Sequence, residues 1–551
     1  MRKVFLGRCV LSVSVSPLNR MWRSTPKWLL ALEILGVCAW IGLSTIDLWQ
    51  STQESNLIPL DAKALKAQQG NERWNGIFFQ DQHVGFTVNR TSALEDGRLL
   101  LEQRSMLKLV TFDKLQTVIT AGAALTDDTG HLQRFDFFMK SDLASLSVKG
   151  EVKQRQIIME IDQGNGEIQE LDFPIEKRPH VALSLESQIR QMELSVGTEF
   201  SLPYFDPASM SDGEMNLKVV DSEVLDNGEE AWWVVSSFND IQTRSLIASN
   251  GDILRQEGAL GISMVRMSPE DAQQLDLEDP VDLIGLSGVP VKGKLKHPRE
   301  KQALTVKVSG VDINKLSESL PVQSVNLETQ EVSIQIIDLN TIAATPIIKD
   351  NETASYRDAL VATLDLPSNH PDIRAKSQEI IASATNRLEA VQSINQFVFD
   401  YMEKTPVIGV PNGLTALQQA QGDCNEHTAL FVSLARAAKI PARIAAGIVF
   451  SDRTGPLKQF YYHAWPEVLV YNQQGEPIWL PLDPTFGQTP TDATHIKLVE
   501  GGLDRQVEIM AYLGQIKLEM VSDYPSSKPK PKPEATPAPN ETVQENQNVN
   551  D

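Results

Sequence analysis

The chain has 551 residues, too many for one ordinary domain and enough for three or four. It carries 50 Lys and Arg against 72 Asp and Glu, a formal net charge of −22. That balance argues against nucleic acid as a partner and otherwise describes a solvated acidic surface.

Residues 1–27 hold Arg2, Lys3, Arg8, Arg20, Arg23 and Lys27 and no acidic side chain. Trp28 to Ile46 follows, almost wholly apolar, with Glu33 as its one charge. A span of about 20 apolar residues crosses a bilayer as a helix, so 28–49 is predicted to be a transmembrane anchor. The basic flank predicts a cytoplasmic N-terminus. The protein is then a single-pass one of a cell inner membrane, with its bulk periplasmic or extracellular. The alternative is a cleaved signal, with Gly42-Leu43-Ser44 as a small-x-small site. In the anchored topology Cys9 is cytosolic and Cys38 lies in the membrane. Cys424 is the one exported thiol, and an unpaired thiol in an oxidising compartment suggests reactivity.

Residues 50–69 are polar and read as a stalk. From 70 to 265 the chain alternates in short apolar runs separated by turns such as Asp128-Thr129-Gly130 and Asn250-Gly251. This is an antiparallel β pattern, broken by one helical interval near Val181–Leu194. Residues 266–360 read as a connector and small β segment, with strands at 303–308 and 332–337. From Pro371 the period becomes helical, with amphipathic helices at 373–384 and 388–401. The tail at 524–551 is Pro-rich and polar, a composition that predicts disorder.

Between Gly413 and Pro484 three chemistry-bearing residues follow one another. Asp423 is a good N-cap, and Leu430, Phe431, Leu434, Ala435 and Ala438 share one face of the helix after it. Cys424 falls in the first turn, where the helix dipole favours an anion. Such a place can bring a thiol pKa down to roughly 3.5–7.5. His463 lies in an alternating aromatic run, Phe460 to Tyr471, that reads as a strand. The Gln473–Gly475 turn leads into a second strand, 478–482, ending at Asp483. Cross-strand neighbours are close enough for Asp483 to accept from one His463 nitrogen, leaving the other for the thiol. Nucleophile, base and orienting acid are the parts of an acyl-transfer site.

The segments GDCNEHTALFVSLARAAKIPARIAAG, HAWPEV and WLPLDPT resemble the three core motifs of the transglutaminase-like superfamily. The resemblance covers roughly 372–500 and implies a papain-like core in residues 365–515, with Cys424 as nucleophile, His463 as base and Asp483 orienting it. It further implies acyl transfer from amides. The expected fold class is α+β: this core on the C-terminal side, preceded by antiparallel β-rich domains and one N-terminal transmembrane helix. The expected protein is a membrane-anchored cysteine peptidase, amidase or acyltransferase acting on a protein or peptide, with no metal or other cofactor required. Hydrolysis is favoured over cross-linking, because no acyl-acceptor site is legible.

Other readings use the same residues. Cys424 and His427, three apart, can face one way and ligate zinc with His463 and His495, but no second Cys/His pair lies nearby. His427 otherwise reads as a helix-surface residue or a cleft wall. Tyr461 and Trp465 share parity with His463, so Phe460 and Tyr462 are expected to pack behind. Arg436 and Arg443 are expected to bind carboxylates. The Cys424 N–H is a candidate oxyanion donor, with Gln418, Gln419 or Gln421 as a second. The competing function is a non-catalytic envelope scaffold built on a degenerate module of the same fold.

Overall fold

The computed structural model describes residues 72–525 apart from short internal stretches, the longest being 277–287. The basic segment 1–27, the predicted anchor 28–49, the stalk and the tail beyond Pro525 lie outside the described residues. Among the described residues no helix is long and apolar enough to cross a membrane. The described chain is mostly β, with its longer helices gathered between 371 and 437.

Strands of period two build one 14-stranded antiparallel sheet. The chain runs outward strand by strand from β1 (Glu72–Phe79) to β8 (Ile168–Pro174). It then crosses through helix α1 (Ala182–Ile189) to the opposite edge at β9 (Glu199–Asp206) and returns inward to β14 (Ile262–Arg266), which pairs with β1. The sheet is rolled. His180 bonds to β9 through Pro203 O and the Phe205 N–H, and the Phe205 ring sits 5.6 Å from Phe135 and 5.4 Å from Phe173. Alternation is visible along 145–153, where Leu146 and Val148 point inward between less buried neighbours. At the Asn250-Gly251 turn, Gly251 takes a φ of +79° and its N–H closes on Ala248 O.

A second sheet has five strands in the order β15 (Val291–Lys292), β25 (Lys517–Pro525), β16 (Lys301–Ser309), β18 (Glu331–Gln335), β17 (Gln323–Asn326). Here the expected boundaries need correction. Lys517 to Pro525 lies beyond the predicted unit 365–515 and reaches into the predicted tail, yet it pairs with β16 from Ser309↔Lys517 to Lys301↔Pro525. Leu304, Val306, Val308 and Val332 belong to the same buried cluster as Phe431, Leu434 and Val468. The small β segment and the helical region therefore share one core.

In the helical region, α2 (Pro371–Ile380), α3 (Arg387–Tyr401) and α4 (Gly413–Gln419) surround α5 (Cys424–Ala437), of which eleven residues are buried. A four-stranded antiparallel sheet lies against α5 in the order β23 (Pro477–Pro481), β22 (Gln459–Tyr471), β21 (Ala442–Ser451), β24 (Ile496–Glu500). Behind β22, Arg387 is fully buried and forms a bidentate pair with Glu352 at 2.8 and 2.7 Å.

Candidate active site

The site begins where the chain turns into α5. Gly422 has a φ of +157°, and a Cβ there would meet Glu426 Cβ at 2.4 Å. Asp423 accepts from the Asn425 N–H at 2.8 Å, and its own N–H donates to Glu426 Oε2 at 2.9 Å. This reciprocal cap starts the helix at Cys424. The two capping carboxyls lie together, and burial with the Asp423 charge pushes Glu426 well above the carboxylate range.

Cys424 is a free thiol with partial exposure. Its electrostatics reverse the expectation of a lowered pKa. Burial and the adjacent Asp423 carboxylate push the thiol well above its ordinary value, and the Ala464 backbone bond offsets only part of this. One helix dipole is outweighed by loss of water and by a like charge one residue away.

The start of α5 rests on the residues flanking His463. Thr428 Oγ1 donates to Ala464 O at 3.1 Å, and Tyr462 Oη donates to Asn425 Oδ1 at 3.0 Å. Tyr462 was expected to pack behind, yet it stands beside the residue after the thiol. Tyr461 and Trp465 are buried on the His463 side, with Trp465 stacked 6.2 Å from His463. Residues of both parities in β22 therefore take part, Tyr462 and Ala464 at the start of α5 and Trp465 against His463.

His463 Nε2 lies 2.9 Å from Asp483 Oδ2. A carboxylate only accepts, so Nε2 carries the proton and Nδ1 is left clear of the carboxylate. Phe486 stacks on the imidazole at 4.9 Å and 10°. Asp483 is fully buried, and its Oδ1 accepts from the Thr485 and Phe486 N–H groups at 2.8 and 2.9 Å. Its Oδ2 also accepts from His495 Nε2 at 3.0 Å. Burial alone would raise Asp483, but the two histidines hold it far below the usual carboxylate range.

From its place in the sequence His495 is marked only as a possible zinc ligand. Its Nδ1 faces Asp492 O at 3.1 Å and Asp492 Oδ1 at 3.4 Å. Arg299 pairs with Asp492 at 2.7 Å, and its guanidinium lies 4.6 Å over the Phe486 ring. No motif marks His495. It is 12 residues beyond Asp483, and only the fold of the Phe486–Thr494 loop brings it back.

Other expectations are corrected. His427 is fully buried, not on the helix surface, with Nδ1 bonded to Asp423 O at 2.6 Å and burial lowering its pKa to about 4. Among the described residues, the His, Cys and acidic side chains whose ligand atoms come within 4.8 Å of one another are His463, Asp483 and His495, without Cys424 or His427. Its donor atoms are bonded to one another. Arg443 does bind carboxylates, Glu467 at 2.8 Å and Glu500 at 2.5 Å, but Arg436 binds the carbonyls of Ala442 and Val361. Gln418 and Gln419 are exposed on α4, and Gln421 is half-buried in β20 (Gln421–Gly422), which pairs with β19 (Glu403–Lys404).

Comparison with known families matches residues 374–484 to the transglutaminase-like superfamily. Comparison with curated proteins finds no match. Solved structures similar to this chain include a proposed cysteine protease of Cytophaga hutchinsonii, 14% identical, covering 40% of this chain and 86% of its own, with a TM-score of 0.26. A β-barrel-like protein of Brucella abortus, from a domain family of unknown function, is 12% identical over 36% of this chain and 95% of its own, with a TM-score of 0.28. The periplasmic domain of TgpA from Pseudomonas aeruginosa is 15% identical over 54% of this chain and 88% of its own, with a TM-score of 0.20. The family match lies on the helices and strands that carry Cys424, His463 and Asp483: residues 374–484 are a transglutaminase-like domain.

Proposed function

We propose that the chain is a membrane-anchored, exported cysteine acyl-transfer enzyme that acts on an amide or peptide bond of a protein or peptide. The observation that carries this reading is the 2.9 Å bond from His463 Nε2 to the fully bonded Asp483, on the strand against which Cys424 starts its helix. Asp483 holds one tautomer of His463 and leaves Nδ1 to take the thiol proton. The Cys424 sulfur attacks the substrate carbonyl carbon as that proton moves. The Asp423 side chain takes the Asn425 and Glu426 N–H groups, so the Cys424 N–H is the first-turn donor that can receive the oxyanion. The intermediate collapses by breaking the C–N bond, and His463 returns the proton to the departing amine. The thioester then yields to water, deprotonated by His463, or to a second amine. Water gives a peptidase or amidase, and we favour it because no acceptor-amine site is recognisable among the described residues.

One observation favours the scaffold reading: the thiol is pushed up rather than down. In a general-base mechanism that is tolerable, because His463 removes the proton during attack instead of beforehand. The test is incubation of the full chain in detergent with a peptide pool, with and without a primary amine, read by mass spectrometry. New termini mark hydrolysis, converted side-chain amides mark deamidation, and incorporated amine marks cross-linking. All products should vanish in Cys424→Ala. Products unchanged in Cys424→Ala, or none from wild type, would overturn the proposal.

A further inference from the structure

His495 is 2% exposed in its side chain and has two carboxylates around it. Its Nε2 faces Asp483 Oδ2 at 3.0 Å, and its Nδ1 faces Asp492 O at 3.1 Å. Both partners are acceptors, so both ring nitrogens must be donors, which is the imidazolium. The groups around it complete a charge set. Asp483 and Asp492 are carboxylates, Arg299 is paired with Asp492, and His463 shares Asp483 Oδ2. The remaining neighbours are aromatic: Trp465 meets the His495 ring edge-on at 5.2 Å, and Phe486 at 6.3 Å.

Resting on the catalytic reading above, we propose that His495 is a positioning residue: a buried cation that shares the Asp483 carboxylate with His463 and thereby keeps Cys424 a thiol between turnovers. In an ordinary triad the carboxylate charge is free to stabilise a proton on the base. Here a second histidine already sits on the same oxygen. Asp483 still aligns His463 through a hydrogen bond, but less of its charge is left to hold a proton there. Proton transfer from Cys424 to His463 is thus disfavoured until the sulfur attacks a carbonyl. The electrostatics of the two ends of the site have the same sign. Asp483 and Asp492 together raise His495 to about 9 despite its burial. Burial and Asp423 push the Cys424 thiol up. The consequence is a nucleophile kept uncharged between turnovers, and so protected from oxidants and alkylating agents, which react with thiolate.

The experiment needs no substrate. The full chain is treated with iodoacetamide between about pH 5 and pH 9, and the rate at Cys424 is read from its peptide by mass spectrometry. His495→Gln keeps a donor toward Asp483 but removes the cation. Each unit by which this favours the imidazolium of His463 over the thiol raises the thiolate fraction about tenfold, so the variant should react about tenfold faster near neutral pH, with a flatter pH profile. Asp492→Asn, which leaves the ring in place but weakens its charge, should move the same way by less. His463→Ala should abolish the gain in both backgrounds. An unchanged profile in His495→Gln would overturn the proposal while leaving a His463-dependent thiol intact. A Cys424 indifferent to His463→Ala would overturn the catalytic reading itself. Loss of the folded circular dichroism spectrum in both His495→Gln and Asp492→Asn would assign the histidine to the core and also overturn the proposal.

Discussion

Asp483→Asn is the substitution whose consequences the geometry fixes most closely. The carboxylate accepts four hydrogen bonds, two at Oδ1 from the Thr485 and Phe486 N–H groups and two at Oδ2 from His463 and His495. An asparagine can keep its oxygen on the two backbone donors. Its amide then points at two imidazole nitrogens that both carry protons. His463 is relieved by moving its proton to Nδ1, which places N–H instead of a lone pair toward the thiol. The base is lost although the shape is kept, and in a serine triad such a change costs about 10⁴ in turnover. Stability falls as well, because a buried cation at His495 loses one of its two counter-charges. Breaking a buried pair by removing one partner costs about 3–5 kcal/mol. The assays are kcat/KM on any peptide turned over by the wild type, and thermal denaturation followed by circular dichroism. Activity within tenfold of wild type, with a native spectrum, would refute the assignment of Asp483 as the residue that orients His463.

The pH dependence of stability has two sides. Asp483 is depressed below its ordinary 3.8, so its contribution is present above about pH 4 and is lost as pH falls further. His495 is raised from 6.5 to about 9, so its contribution is full below about 6.5 and is lost as pH rises through 9. Thermal midpoints should therefore be highest between about pH 4 and 6.5; a flat profile from pH 6 to 10 would contradict the charged His495. Arg387→Met leaves Glu352 and the Tyr471 hydroxyl that donates to it without their cation, and should destabilise by about 3–5 kcal/mol in urea melts. The double variant Arg387→Met, Glu352→Gln should recover part of that. Truncation after residue 525 should leave the melt unchanged, whereas truncation after 516 removes β25 from between β15 and β16 and should unfold the C-terminal region. A periplasm-dependent reporter fused after residue 60 should be active, and activity of a cytoplasm-only reporter there would overturn the proposed topology.

Much of the site was legible because its signals are local. Asp423 caps the helix it was expected to cap, and the turn after Tyr471 brings Asp483 back to His463 within one hairpin. The Asn250-Gly251 turn and the alternating runs before it likewise form as their spacing suggests. What the sequence hid is long-range or electrostatic. The pairing of β25 with β16 joins residues about 200 apart, and no pattern in 517–525 names its partner. His495 reaches Asp483 through a loop whose path depends on side-chain bonds from Gln488 and Thr494 to Asp492. The sign of the Cys424 shift was missed because a helix dipole can be read from spacing, whereas burial and the proximity of the Asp423 charge emerge only from packing. Tyr462 was misplaced for a similar reason, since strand parity says which side chains share a face but not where a helix end will meet the strand.

The central claim is that Cys424 forms a covalent acyl intermediate with His463 as its base. The most direct measurement is the mass of Cys424-containing peptides from full chain quenched in acid during turnover of the peptide pool. The account predicts a hydroxylamine-labile thioester on Cys424 in the wild type, absent from Cys424→Ala and reduced by several orders of magnitude in His463→Ala. Product formation with no adduct on Cys424, or with the adduct on another residue, would contradict it.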